Sequence, residues 1–290
     1  NAGMGHIYVA GGAESMSMIP MTGYKLAPSY KAAMQNINYH VGMGHTAEAV
    51  AEKYKITREQ ADEFSYNSHV KAAAAIDAGK FDDEIVPITV QDIFVKDGKR
   101  IESNHTVAMD EGVRRSTSVE GLSKLRAVFK QGGIVTAGNS SQISDGAAFV
   151  LVVSEEIVKR YNLEPIARLV ACSVGGVDPL YMGIGPCVAI PKAVKQAGLK
   201  LEDIDNIELN EAFAAQALAC TRELGLADND PRINPNGGAI AIGHPLGVTG
   251  ARLLQTASIE LNKTGKRYAL CTMCIGVGQG YATIIENVNI

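Results

Sequence analysis

The stretch IDNIELNEAFAAQALACTRELG (204–225) sets the strongest limit on the fold. A short β-branched, apolar run passes through Asn210 and Glu211 straight into an alanine-rich segment that stops on Gly225. That pattern is a strand running into a long helix with almost no loop. Its surroundings alternate in the same way. ARLVACSVGG (167–176) reads as a strand, Ile190–Gly198 as a helix with a glycine stop, and Leu253–Leu261 as helical. YALCTMC and YATIIEN read as two strands flanking a glycine run. Strands and helices in alternation bury their apolar sides only as layers, so a mixed α/β fold with a central sheet is expected.

The first half is less regular. HIYVAGGAES (6–15) reads as a short buried strand ending in a Gly-Gly turn, and FVLVVS (149–154) as a strand of a sheet covered on both faces. Met16 to about Gln35 lacks periodicity and reads as loop. Thr46–Lys55 reads as a helix with Thr46 as N-cap; Thr57–Gly79 is a helix opened by a Thr57/Gln60 capping box and stopped by Gly79. Asp82 to about Arg115 suggests short strands and polar loops. Gly132–Ala148 is a Gly/Ser/Asn-rich loop expected to lead towards a helix.

The 290 residues are 46% hydrophobic and 20% charged, enough apolar material for two modest domains. A formal net charge of −4 gives no basic excess for nucleic acid or an anionic membrane. Five scattered cysteines are no disulfide framework and fit a reducing compartment, so a cytoplasmic location is expected. No apolar run approaches the ~20 residues that span a bilayer. The chain opens on Asn1 and runs almost at once into a strand pattern, from which residues upstream are expected to be missing.

Three segments carry candidate chemistry. In LCTMCIGVGQG (270–280), flanking β-like sequence argues against a redox pair opening a helix, and a structural zinc site lacks a second cysteine pair. On a strand, Cys271 and Cys274 face opposite sides. Two buried core thiols is the plain reading; the glycines that bare N–H groups beside Cys274 favour a site for a negatively charged intermediate. The run is not G-x-G-x-x-G and leads into a strand, against dinucleotide binding. In NPNGGAIAIGHPLGVTGAR (234–252), His244 sits in a glycine-rich turn before a helix start. A lone histidine is ordinarily a satisfied core or surface residue, but this placement exposes an imidazole beside free amides. Asn210 in ELNEAFAAQ is either a helix N-cap or an amide held at the carboxyl edge of a sheet, where open α/β sheets place their sites.

NEAFAAQ, GGAIAIGHPLGVTGAR and MCIGVGQG, in this order and spacing, resemble the thiolase family. VAGGAESMS, MGHTAEAVA, TAGNSSQISDGAA and DPLYMGIGP extend the resemblance nearly end to end. It implies a five-layer αβαβα sandwich of two similar halves with an inserted loop domain. Residues 1–15 and 142–164 would be the remains of the N-terminal half, 16–141 the CoA-binding insertion, and 165–290 the C-terminal half. The family's nucleophilic cysteine stands in a C-G-S-G-like turn upstream of the VAGG strand. None of the five cysteines here sits in such a turn, so the chain is expected to be a fragment or a truncated product.

By the same resemblance, His244 activates the nucleophile and points a donor at the thioester oxygen, and Asn210 holds a water at that oxyanion site. Cys274 is the general acid/base, its thiol expected near neutrality and open to tuning lower. The Gly276 amide donates to a second oxyanion hole, and Cys271 is a buried bystander. Coenzyme A is implied as substrate, with no permanently bound cofactor and no metal. Ser141 and Phe213 would flank its pantetheine arm, Arg114 and Phe129 its nucleotide end, and Met182 the acyl group. Arg114 reads equally as solvated charge beside Arg115. The position before Met43 is Gly42, where some relatives carry histidine.

The implied activity is thiolytic cleavage of 3-ketoacyl-CoA in fatty-acid β-oxidation. An acetoacetyl-CoA thiolase, or an inactive fragment acting only in assembly, are the alternatives. A decarboxylating ketoacyl synthase would replace Asn210 or Cys274 with histidine. A homodimer or homotetramer, and a possible β-oxidation complex partner, are implied as well.

Overall fold

The computed structural model describes residue 3 and residues 5–290; positions 1, 2 and 4 of the expected N-terminal remnant lie outside the described residues. In chain order the elements are β1 (Ile7–Ser15), α1 (Tyr30–Gln35), α2 (Met43–Tyr54), α3 (Arg58–Asp77), β2 (Ile88–Lys96), β3 (Lys99–Val107), α4 (Val119–Ser123), β4 (Asp145–Val153) and α5 (Glu155–Tyr161). There follow β5 (Arg168–Gly176), α6 (Gly185–Ala197), β6 (Asn206–Leu209), α7 (Ala214–Glu223), α8 (Ala239–Ile242), α9 (Thr249–Thr264), β7 (Tyr268–Ile275) and β8 (Gln279–Glu286).

The main sheet runs in the order β5-β8-β7-β6. β6 and β7 are parallel, while β7–β8 and β8–β5 are antiparallel. One face carries α6 and α7, whose Ala189, Ile190, Ala217 and Cys220 close with Ile207, Leu209, Leu270 and Ile284 into the principal core. The other face carries α9, through Leu253, Ala257 and Leu261 on Ala269, Cys271 and Ile285. Burying each leucine or isoleucine contributes about 1.5–3 kcal/mol, so the two clusters hold the sheet between its helices. α9 also meets the antiparallel pair β1–β4 on its far side. Helix, sheet, helix and sheet are thus stacked in that order. No helix among the described residues is long and apolar enough to cross a membrane.

Several local expectations are corrected. β1 and β4 were expected to be buried, yet Val9 is 72%, Phe149 56% and Leu151 60% exposed. Among the described residues each pairs only with the other, so one face rests on α9 and the other stays open. The loop of residues 132–144 leads into strand β4 and not into a helix. Thr46 is no cap: α2 starts earlier, at Met43 after Gly42, and the Thr46 hydroxyl donates to the Met43 carbonyl at 2.7 Å. The Thr57/Gln60 capping box is formed as expected. α6 starts five residues before Ile190, with Pro186 in its first turn, where proline's missing N–H costs nothing.

A buried carboxylate ties these layers together where β6 turns into α7. Glu211, 2% exposed, accepts from the Ser68 hydroxyl of α3 (2.6 Å), the Asn234 amide (2.8 Å) and the Ile240 backbone N–H of α8 (3.2 Å). Burial pushes its carboxyl up, against the opposing pull of those donors. The Gly-Gly pair before α8 is needed here. A Cβ on Gly238 would lie 2.2 Å from the Glu211 carboxylate carbon, and Gly237 has a φ of +82° against the α3 backbone. Glu211→Ala leaves three buried donors without an acceptor, each worth about 1–3 kcal/mol. We expect a loss of roughly 3–5 kcal/mol in urea denaturation, with Glu211→Gln losing clearly less; equal stability of wild type and Glu211→Ala would refute the role.

Candidate active site

The parallel pair β6–β7 brings two of the sequence motifs to one sheet edge. The register sets Leu209 opposite Thr272, and the Asn210 N–H donates to the Thr272 carbonyl at 3.0 Å. Asn210 therefore stands at the carboxyl end of β6, with Cys274 at the corresponding end of β7. The Asn210 side chain is 1% exposed, yet neither its Oδ1 nor its Nδ2 has a partner among the described residues. It is not an N-cap: α7 is preceded by Phe213, and no side chain caps it. An amide in this position has its hydrogen-bonding capacity open to a ligand or a water.

Cys274 and Cys271 face opposite sides of β7. The Cys271 thiol donates to the Leu253 carbonyl of α9 at 3.4 Å. Cys274 is 6% exposed and packs with Met182 and Ala212, with Met43 and Phe213 alongside. Its thiol was expected near neutrality or lower. Instead, burial pushes it up to about 12, with only a backbone hydrogen bond pulling the other way. The thiol therefore stays protonated at neutral pH.

Beyond Cys274 the chain turns through Gly276, Val277 and Gly278 into β8. Val277 has a φ of +69°, a strained value for a β-branched residue. Gly278, at +88°, passes so close to Val177 that a Cβ would lie 2.3 Å from its carbonyl oxygen. Strain of this kind collects at functional turns, and Gly276 heads this one, open towards Met43.

His244 stands just before α9, which packs on the Cys271 face of β7. A Cβ on Gly250, in the first turn of α9, would lie 3.5 Å from the Met273 methyl of β7. His244 Nδ1 lies 2.6 Å from Thr249 Oγ1. The Thr249 hydroxyl donates to the Pro245 carbonyl at 3.1 Å. With its single proton so engaged, Oγ1 accepts from Nδ1–H and leaves the Nε2 lone pair free. Burial first, and the Arg252 cation second, push the imidazole down to about 4. His244 is thus a neutral base near pH 7. Arg252 is itself held by buried Glu208 at 3.5 Å.

The loop of residues 136–144 joins the two motifs. The Ser141 N–H donates to the Ala212 carbonyl (3.0 Å), and the Ala214 N–H to the Asn139 carbonyl (2.9 Å). Gln142 Nε2 donates to the Ile240 and Ala241 carbonyls at 2.9 and 3.0 Å. Phe129 meets Phe213 edge-on at 6.4 Å, and His45 meets Phe129 at 6.0 Å. Ser141, Phe129, Phe213 and Met182 are therefore gathered around the Asn210–Cys274 edge. Arg114 stands apart: it is exposed, and its backbone N–H donates to His69 Nδ1 at 3.2 Å. Arg115, beside it, is an ordinary surface ion pair with Asp77 at 2.8 Å. A cleft of about 520 Å³ runs behind the His244 segment, lined by Ser144, Gly243, Pro245, Thr249 and Arg252 among others. Thr249 and Glu211 are site-shaping residues that the motif reading passed over; Thr249 stands one helical turn beyond Pro245, and that spacing was the available signal.

A sequence profile described as thiolase, N-terminal domain, matches residues 1–156, and one described as thiolase, C-terminal domain, matches residues 163–287. This chain belongs to the thiolase family. It is 48% identical over 306 residues to a beta-ketoadipyl-CoA thiolase of Acinetobacter baylyi, covering 99% of this chain and 74% of that one. It is also 48% identical over 280 residues to a 3-ketoacyl-CoA thiolase of Bacillus subtilis, covering 96% and 71%. The crystal structure of human mitochondrial 3-ketoacyl-CoA thiolase superposes with a TM-score of 0.86 at 43% identity, over 98% of this chain and 72% of that one. The mixed α/β fold is therefore the thiolase fold, of which this thiolase chain spans about three quarters of the relatives' length.

Two outcomes test the geometry. By ¹⁵N NMR, His244 should be the Nδ1–H tautomer, and Thr249→Val should yield a mixture; a wild-type Nε2–H tautomer would reject the Thr249 assignment. The second concerns pH. Between about 6.5 and 4 the unfolded chain protonates this histidine and the native one does not, so stability is lost as pH falls through that window. Glu208, pushed up to about 7 by burial, acts oppositely: its contribution declines as pH rises from 4.5 to 7. The histidine is therefore read from the difference between wild type and His244→Asn. Relative to the variant, wild type should lose on the order of 3 kcal/mol as pH falls from 6.5 to 4.

Proposed function

We propose that the chain carries the proton-transfer and oxyanion-binding part of a site that cleaves 3-ketoacyl-CoA with CoA, giving acetyl-CoA and a shortened acyl-CoA. One observation supports this above the others. A protonated, buried thiol, Cys274, stands at the same sheet edge as a buried amide, Asn210, that has no protein partner.

Breaking the carbon–carbon bond leaves an enolate of acetyl-CoA. Cys274 delivers a proton to its carbon. A thiol held neutral by burial suits that step, and the returning thiolate takes the proton of incoming CoA. Asn210, through a water, and His244, once it has taken the proton of the attacking thiol and carries Nε2–H, steady the thioester oxygen as charge grows on it, while the Gly276 N–H serves the attacked carbonyl. Neutral His244, with Nε2 free, accepts the proton of an attacking thiol. No cysteine of these 290 residues suits that attacking role. Cys172 is exposed on β5, Cys187 and Cys220 lie between α6 and α7, Cys271 faces α9, and Cys274 has its own task. The nucleophile is assigned to sequence outside them. CoA lies with its pantetheine arm along Ser141 and Phe213 and its nucleotide end towards Phe129 and exposed Arg114.

The relatives divide between 3-ketoacyl-CoA and beta-ketoadipyl-CoA thiolases. The group around Cys274 is apolar (Met43, Met182, Ala212 and Phe213). That lining favours an uncharged acyl chain, as in fatty-acid β-oxidation, over one ending in a carboxylate, which would need a cation. The beta-ketoadipyl reading rests on the 48% identity alone. Acetoacetyl-CoA is the shortest substrate of the same chemistry. A homo-oligomer is assigned from the open apolar face of β1–β4, and light scattering checks it.

The test is thiolysis by the polypeptide that the gene encodes, beside the 290-residue chain alone. The encoded polypeptide should turn over 3-ketohexanoyl-CoA faster than 3-oxoadipyl-CoA, and the reverse order would select the second reading. Cys274→Ala should lower turnover at least 100-fold, within the usual range for a lost acid/base; normal turnover in that variant would remove Cys274 from the reaction.

A further inference from the structure

The loop that carries Ser141 is fastened to a second buried carboxylate. Asp62, on α3, is 1% exposed, and Asn139, in TAGNSS, is 2% exposed. Across 77 positions of chain, Asn139 Nδ2 donates to Asp62 Oδ1 at 3.0 Å. Nδ2 also donates to the Ile134 carbonyl at 2.9 Å, and Asn139 Oδ1 accepts the Thr136 N–H at 2.8 Å. Both amide hydrogens and the amide oxygen are thus engaged, which fixes the orientation of the side chain. Asp62 is anchored in turn. Arg58 Nε donates to its Oδ2 at 2.7 Å, and Arg58 Nη2 donates to the Leu122 and Leu125 carbonyls at 2.5 and 2.9 Å. α3 and the end of α4 therefore form a fixed base for one side-chain amide.

The backbone of the same residue faces the site. The Asn139 carbonyl accepts the Ala214 N–H at 2.9 Å, and the Ser141 N–H donates to the Ala212 carbonyl at 3.0 Å. Ser140 is thereby bridged antiparallel to Phe213. Ala212 and Phe213 belong to the group around Cys274. We propose that Asn139, held by Asp62, is a positioning residue: it sets the spacing between Ser141 and Phe213, and so the fit of the pantetheine arm of CoA. That fit presupposes the proposed role of Ser141 and Phe213 as pantetheine contacts. Asn139 itself touches no reacting atom. The edge that bears Asn210 and Cys274 is held without it, by the Asn210 N–H on Thr272 and by the donors on Glu211. Losing the Asn139 amide therefore loosens the hold on CoA and leaves the proton-transfer geometry in place. Binding lost equally from ground state and transition state raises KM and spares kcat.

The polypeptide that the gene encodes is assayed with 3-ketohexanoyl-CoA and CoA beside its variants. Asn139→Ala should raise KM for CoA about tenfold and change kcat by less than about threefold. Asp62→Asn keeps the Thr136 and Ile134 contacts of Asn139 and should move KM the same way by about threefold. Asn139→Asp sets two carboxylates against each other and should raise KM at least as far as Asn139→Ala. Adding Asp62→Asn to it restores a donor to that contact, so the double variant should bind CoA more tightly than Asn139→Asp alone.

A role in folding alone has a different signature. Fewer folded molecules lower kcat per mole of protein and leave KM where it was. That result would overturn the proposal, as would unchanged KM in Asn139→Ala or a fall in kcat larger than the rise in KM. If circular dichroism shows Asn139→Ala unfolded, Asp62→Asn carries the same test with its threefold shift in KM at constant kcat. Titration calorimetry with CoA separates this outcome from the functional reading. A wild type that binds CoA but does not thiolyse the ketoacyl thioester rejects that reading. The dissociation constant for CoA must then still rise about tenfold in Asn139→Ala, and an unchanged constant overturns the positioning role. A wild type that binds no CoA ends both.

Discussion

The buried carboxylate of Glu211 is the contact on which the arrangement of the site rests. It receives donors from α3, from the segment before α8 and from α8 itself, three pieces separated by up to 172 positions in the chain (68 to 240). A carboxylate offers about four lone-pair directions, so one side chain satisfies three buried donors at once. That makes ELNEAF and NPNGG one structural unit. It also accounts for the unpaired Asn210 next door. Glu211 does the holding, the Asn210 backbone is fixed to β7, and the amide is left without a protein partner among the described residues.

The electrostatics of the site follow from dryness more than from charge pairing. Burial is the leading cause of both large shifts: His244 is driven down to about 4 and Cys274 up to about 12. Neither faces a counter-ion that would reverse this; the one cation acting on His244, Arg252, adds to the effect. Both groups are therefore neutral over the physiological range. Charge appears only during reaction, where preformed donors in a water-poor site act most strongly. Arg252 has buried Glu208 as its counter-ion at 3.5 Å.

Sequence reasoning read the C-terminal half well because its periodicities are local. The strand–helix passage at residues 204–225, the capping box at Thr57, and the opposite facing of Cys271 and Cys274 follow from spacing within one element. It failed where the answer depends on a neighbour. β1 and β4 are apolar enough to read as covered, yet coverage is a property of the layers beside them. Thr46 has the chemistry of a cap, but Gly42 begins the helix a turn earlier. The serine-rich loop points into β4 because β1 is there to pair with it. The titration near neutral pH expected of Cys274 erred for the same reason: a thiol's proton affinity depends on the solvent and charges that the fold leaves around it.

The residue types in the three motifs, their order and the glycines that let the backbone turn are written in the chain itself, and they were enough to recognise a thiolase and to name Asn210, His244, Cys274 and Gly276. That Asn210 and Cys274 would share one sheet edge and that Glu211 would be the fastening were settled only by tertiary structure. Each depends on atoms far apart along the backbone being brought within a few ångströms, and local spacing carries no record of that.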